Sequence, residues 1–168
     1  CGHFALPSDP TMKHQIERLV LASLQQLRDR EQEHPAPGLA PAPEVLARFL
    51  SRLPFTPTAA QTRVMAEISA DLANARPMLR LVQGDVGSGK TLVAAAAALQ
   101  AIAAGYQVAV MAPTEILAEQ HLANFRGWFE PLGIDIRWLS GRTKGKARAA
   151  TLEAMLSGDA QLVIGTHA

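Results

Sequence analysis

Cysteine is all but absent. Cys1 is the only one in 168 residues, so the chain can build neither an internal disulfide nor a cysteine zinc cluster, and nothing points to an oxidising compartment. Aromatic residues are scarce too, at 5%. Trp128 and Trp138 sit in apolar patterns and read as core, which leaves no platform for stacking bases. Long hydrophobic runs are missing: the longest, residues 92–99, falls far short of the roughly 20 residues a bilayer-spanning helix needs. No signal-peptide pattern precedes the fold. Charge of either sign is in short supply, with 18% charged residues and a net +1, which neither demands nor excludes nucleic acid. A starting methionine is also missing, so the chain reads as an internal piece of a longer protein. These absences lead us to expect a soluble, cytoplasmic protein with no membrane partner. What remains is 48% hydrophobic, enough for one domain with a real core plus an appendage.

Against that background one stretch is rich in a single residue type. Gly84-Asp85-Val86-Gly87-Ser88-Gly89-Lys90-Thr91 fits G-x-x-x-x-G-K-[ST] at every fixed position. Three glycines in six residues let the backbone curl into a nest whose N–H groups point at a phosphate. Lys90 can reach the β/γ-phosphates and Thr91 can set its hydroxyl on Mg²⁺. A helix beginning near Lys90 adds its N-terminal partial positive charge. The flanks agree. Residues 78–82 read as a short buried strand, and 92–104 as a buried alanine-rich helix stopped by Gly105. A glycine turn with an incidental lysine would explain the spacing but not these flanks.

Along the rest of the chain, residues 10–33 read as an amphipathic helix with Ile16, Leu19, Val20, Leu24 and Leu27 on one face and Asp9 as its cap. The stretch HPAPGLAPAP, residues 34–43, reads as a linker or extended connector. Helices are expected over 44–53 and 58–73. Beyond the glycine-rich loop, strands over 107–111, 134–139 and 162–164 alternate with helices over 115–129 and 146–157. That alternation implies βαβ units, and so an α/β fold with a parallel sheet covered by helices on both faces. Right-handed crossovers gather the loops after the strands on one edge. Three loops should share it: 84–90, the APTEI stretch and the GTHA stretch.

The segments RLVQGDVGSGKT, VAVMAPTEILAEQH, GKARAATLEAMLSG and LVIGTHA, in this order and spacing, resemble the first motor domain of superfamily 2 DNA helicases. With LPFTPTAAQ and DPTMKHQIERLVLASLQQLR upstream, the chain is most similar to those that remodel stalled forks and branched recombination intermediates; transcription-repair coupling translocases are the nearest rival. The resemblance implies a RecA-like P-loop NTPase fold, incomplete here and preceded by a helical connector. Residues 1–33 would be a connecting helix from a wedge domain, 34–53 a proline-rich linker and short helix, and 54–168 the N-terminal part of the motor domain. It implies an ATP-dependent DNA helicase with ATP and Mg²⁺ as cofactors. Its partners would be forks, Holliday junctions and branched duplex, and it would work as a monomer.

The resemblance also suggests residue roles. Phe55 and Gln61 would take the adenine; Gly84, Asp85, Val86, Gly87, Ser88, Gly89, Lys90 and Thr91 would cradle the phosphates, with Lys90 and Thr91 catalytic and Thr91 on Mg²⁺. Thr58 and Gln61 also have capping-box spacing, which would satisfy the helix start without any nucleotide. Pro113, Thr114 and Glu115 match a DNA-contacting motif, and a helix N-terminus beside a small hydroxyl is a ready seat for a backbone phosphate. Thr114 could equally be a plain N-cap. Thr166 and His167 could hold phosphate, or His167 could simply pack. Arg142 and Lys144 lie in GRTKGKAR, four basic residues and no acid; this is either a solvated helix start or a phosphate track.

One component is missing. A phosphoryl-transfer motor needs an acid for Mg²⁺ and a group to orient water, supplied in this superfamily by a D-E-x-x-type box on a later strand. No apolar strand here ends in Asp-Glu: Asp135 reads as lying inside a strand and Asp159 in a turn. The intact protein is expected to be the enzyme, and this chain inactive alone. Two rivals remain: a P-loop kinase or NTPase acting on a small molecule, and a nucleotide-binding interaction module without turnover.

Overall fold

The computed structural model describes residues 35–167; the helix expected over 10–33 lies outside them. The first helix, α1 (Pro43–Leu50), opens with proline at its first turn, where the missing N–H costs nothing. Val45, Leu46, Phe49 and Leu50 turn inward. Phe49 is fully buried and meets Trp128 and Phe129 edge-on, with ring centroids 6.0 and 5.8 Å apart. Both tryptophans pack against this core, as their apolar surroundings predict.

Helix α2 (Ala59–Leu72) buries Met65 and Ile68. Helix α3 (Lys90–Ala103) follows the glycine-rich loop and is buried along most of its length, through Leu92, Val93, Ala95, Ala98 and Leu99 among others. Strand β1 (Val108–Ala112), helix α4 (Glu115–Phe129), strand β2 (Ile136–Leu139), helix α5 (Gly145–Ser157) and strand β3 (Leu162–Thr166) complete the chain. The three strands are parallel in the order β1-β3-β2. Alternation along β3 separates the two faces. Leu162 and Ile164 join Phe125, Phe129 and Leu99 under α3 and α4, while Val163 packs with Ala154 and Met155 of α5 on the other side. Helices therefore cover both faces, the arrangement that alternating strand and helix patterns require.

The proline-rich segment is pinned rather than loose. The Leu39 N–H donates to the Leu72 carbonyl at 2.8 Å. The buried Gln100 amide on α3 donates to the Leu39 and Ser69 carbonyls at 2.7 and 3.2 Å. Gly38 lies so close to α2 that a Cβ would sit 2.6 Å from the Ala73 carbonyl oxygen. The extended connector is thus held against α2 and α3 by contacts of its own backbone.

One expected strand does not form. Residues 78–82 are in no strand, although Met78 and Val82 do pack against Met65, Ile68 and Val93. A ladder needs a neighbour about 4.8 Å away. Between this segment and β1 lies instead a cavity of about 510 Å³, walled by Met78, Arg80 and Val82 on one side and Val110, His121 and Phe125 on the other. Nor is the segment buried as its apolar character suggests: Met78, Leu79 and Val82 are half-buried, while Arg80 and Leu81 are exposed. Arg80 ties the segment to α2 through Asp71 and Glu67, and its guanidinium is held above its ordinary pKa chiefly by the hydrogen bond to the Asp71 carboxylate. Two smaller differences concern boundaries. Asp135 precedes β2 instead of lying within it, and Gly165 and Thr166 close β3 rather than following it. Among the described residues no helix is long and apolar enough to cross a membrane.

Candidate nucleotide site and nucleic-acid edge

The loop from Gly84 to Thr91 is shaped by its glycines. Gly87 and Gly89 have φ of 83° and 81°, the left-handed region that side chains rarely adopt, and Gly89 caps α3 in that conformation. A Cβ on Gly84 would lie 2.6 Å from Ser88 Oγ, and one on Gly89 would collide with the Gln61 amide. The Ser88 N–H closes the turn on the Asp85 carbonyl at 3.1 Å. Asp85 and Val86 stand exposed at the tip, Val86 completely.

Lys90 folds back over this cradle. Its Nζ donates to the Gly84 and Asp85 carbonyls at 2.7 and 2.8 Å, so the ammonium rests where it can exchange two carbonyl oxygens for phosphate oxygens. The glycine cradle, the ammonium within it and the start of α3 fit the phosphates of a nucleotide. Thr91, beside Lys90, borders the cavity between 78–82 and β1. Among the described residues no group of three or more His, Cys, Asp or Glu is placed to hold a metal. The Thr91 hydroxyl, next to Lys90 in the chain, is a protein oxygen that would suit Mg²⁺, an ion held largely by phosphates and water.

Gln61 makes the contact the sequence did not foresee. The capping box forms: Thr58 N–H donates to Gln61 Oε1 at 2.8 Å, and Gln61 N–H to Thr58 Oγ1 at 3.2 Å. Gln61 Nε2 then donates to the Ser88 carbonyl at 2.9 Å, joining the start of α2 to the phosphate loop. The amide keeps one N–H and one lone pair free for a base edge. The cap and a nucleotide role are therefore compatible. Phe55 is half exposed and lines a cavity with Leu50, Leu53, Pro54 and Pro57.

The second group of residues sits at the strand ends. β1 and β3 finish level, Ala112 opposite Thr166, so Pro113 and Thr114 emerge beside Thr166 and the exposed His167. Thr114 caps α4, accepting from the Leu117 N–H at a long 3.4 Å. Glu115, the first residue of α4, forms an ion pair with Arg142 at 2.9 Å. That pair brings the turn after β2 against the start of α4. Lys144, at the N-cap of α5, is exposed. Asp135 is taken by Arg137 at 2.7 Å, and Asp159 accepts from Ser157 Oγ at 2.7 Å. Sequence reasoning also missed a positional requirement at Gly165: a Cβ there would overlap the Leu139 backbone carbonyl of β2. Only the glycine itself, inside an apolar strand, could have signalled it.

Comparison with known proteins bears on the family and the fold. The DEAD/DEAH box helicase family model matches residues 58–168. The chain is 59% identical over 162 residues to the ATP-dependent DNA helicase RecG of Escherichia coli K12, covering 95% of this chain and 23% of that protein. Among solved structures it is similar to RecG bound to a three-way DNA junction, with a TM-score of 0.80 and 37% identity over 86% of this chain and 20% of that one. An ATP-dependent RNA helicase of Sulfolobus tokodaii, described as hypothetical, shares the fold alone, at 20% identity and a TM-score of 0.53. The chain thus spans about a quarter of the length of the curated relative it matches.

Proposed function

The chain belongs to the DEAD/DEAH box helicase family, and we propose that it supplies the phosphate-binding part of an ATP-dependent DNA helicase of the RecG type, acting on forks and branched duplex. The observation that carries this reading is the phosphate cradle with Lys90 across it, on a chain 59% identical to RecG over nearly its whole length. That identity favours branch remodelling over transcription-repair coupling and over chemistry on a small molecule.

In this reading residues 54–168 belong to the N-terminal part of the first motor domain, 34–53 lead into it, and 1–33 are the segment that connects it to a preceding domain. ATP would lie with its phosphates in the nest of residues 84–91. Mg²⁺, which Thr91 would help to hold, would supply charge neutralisation for phosphoryl transfer. Lys90 would leave the Gly84 and Asp85 carbonyls for the β/γ-phosphates, while Thr91 would turn its hydroxyl to the metal. Gln61, already fixed by Thr58 and Ser88, would offer its remaining amide groups to adenine, with Phe55 against the ring. Pro113, Thr114 and the Glu115 backbone N–H at the start of α4 would seat one DNA phosphate, flanked by Thr166, His167, Arg142 and Lys144. Such contacts position the duplex without reading its sequence.

The protein that carries this chain should therefore hydrolyse ATP faster with DNA present, and fastest with a junction. Turnover measured without DNA, with linear duplex and with a three-way junction tests this. A rate indifferent to all three would favour a small-molecule NTPase.

A further inference from the structure

The cations on the proposed DNA edge are not equivalent. Arg142 lies in a turn with its own support. The Thr143 N–H donates to the Ser140 carbonyl at 3.0 Å, the Ser140 N–H to Thr143 Oγ1 at 3.1 Å, and the Arg142 N–H to Ser140 Oγ at 3.3 Å. The guanidinium projects from this turn to the carboxylate of Glu115, Nε to Oε2 at 2.9 Å. Among the described residues, Lys144, Lys146 and Arg148 have no such ion pair. Glu115 is itself the first residue of α4, next to the Thr114 cap. An anionic group on the first turn of α4 is therefore already paired with an arginine beside that helix start, where the helix charge and a guanidinium would both favour a phosphate.

We propose that Glu115 is an internal stand-in for a DNA phosphate, which holds Arg142 in the unbound chain and gives it up when the duplex backbone arrives. The inference rests on the DNA reading of this edge and deepens it: Glu115 is a positioning residue acting through Arg142, and its carboxylate does not itself touch DNA. Its side chain is 24% exposed and that of Arg142 85%, so the carboxylate is the fixed partner and the guanidinium the one free to swing outward. The pair is solvent-facing and weak enough to exchange. Arg142 is also kept from other acidic partners until a polyanion competes for it.

The test is a double-mutant cycle on duplex binding, followed by the anisotropy of a labelled linear duplex with the whole chain, from low salt upward. The variants are Glu115→Gln, Arg142→Ala and the two combined, each with its melting temperature recorded. Glu115→Gln should tighten binding about threefold at low salt, the scale of an exposed ion pair. The gain should shrink as salt screens the pair and vanish in the Arg142→Ala background. A merely structural Glu115 would change the melting temperature without that coupling. A gain that persists without Arg142 would overturn the proposal, since Glu115 would then act only as a negative charge near DNA. So would unchanged or weaker binding by Glu115→Gln. A wild-type chain with no duplex affinity at the lowest salt would instead remove the DNA reading itself, and the inference with it.

Discussion

Gln61 Nε2 and the Ser88 carbonyl lie 2.9 Å apart, so the first turn of α2 and the phosphate loop are joined by a hydrogen bond across 27 residues of sequence. The same amide closes the capping box with Thr58. One side chain therefore serves helix stability through its oxygen and loop shape through its nitrogen, and substitutions can separate the two.

Gln61→Glu keeps an oxygen for the Thr58 N–H and removes the donor to Ser88. Its melting temperature should stay near wild type while ATP affinity falls roughly two- to tenfold, the worth of one neutral hydrogen bond. Gln61→Ala should lose affinity and also stability. Calorimetric titration with thermal melting distinguishes the cases; unchanged affinity in both variants would leave Gln61 as a helix cap only.

Lys90→Ala removes the ammonium from the cradle. ATP affinity of the chain should drop roughly ten- to a hundredfold, as for a hydrogen bond to a charged group. Because Lys90 is exposed and its present partners are loop carbonyls, the fold should be little affected. Equal affinities for the two chains would sink the phosphate assignment.

Thr114→Ala tests two roles on one variant. The cap bond to Leu117 is long, at 3.4 Å, so the stability loss should lie near the lower end of the roughly 0.5–2 kcal/mol typical of N-caps. In the intact protein the DNA concentration for half-maximal ATPase should rise. A lower melting temperature with an unchanged DNA requirement would make Thr114 a cap and nothing more.

Gly165→Ala should be the most damaging of these changes. The added methyl overlaps the Leu139 carbonyl, a backbone group in register with Gly165 that cannot rotate away. We expect a loss of about 3 kcal/mol or more, the range of steric disruption in a core. A urea midpoint within error of wild type would contradict the β2–β3 spacing described here.

Much of this was legible in the sequence because local rules agreed. Hydrophobic periodicity located all three described strands and the helices from α1 onward, with boundaries shifted by a few residues. The loop was legible because its glycines and Lys90 are consecutive. What escaped depended on residues far apart. Residues 78–82 look like a strand by composition, but pairing depends on what lies beside them, and a cavity does. The bond from Gln61 to Ser88, the pair of Glu115 with Arg142, and the crowding of Gly165 by Leu139 each join elements that only the folded chain brings together. The sequence therefore names candidate site residues one by one, and only the folded chain shows the links between them.

The cavity beside β1 has a consequence for handling the chain. Among the described residues the edge of β1 away from β3 has no partner, and it presents backbone N–H and C=O groups in a row with Met111 68% exposed at its end. Such a row is a template for another copy's strand. A net charge of only +1 gives little mutual repulsion to keep copies apart. Shelf life in concentrated solution will be governed by this one strip of backbone, and light scattering that climbs with concentration should be its first sign.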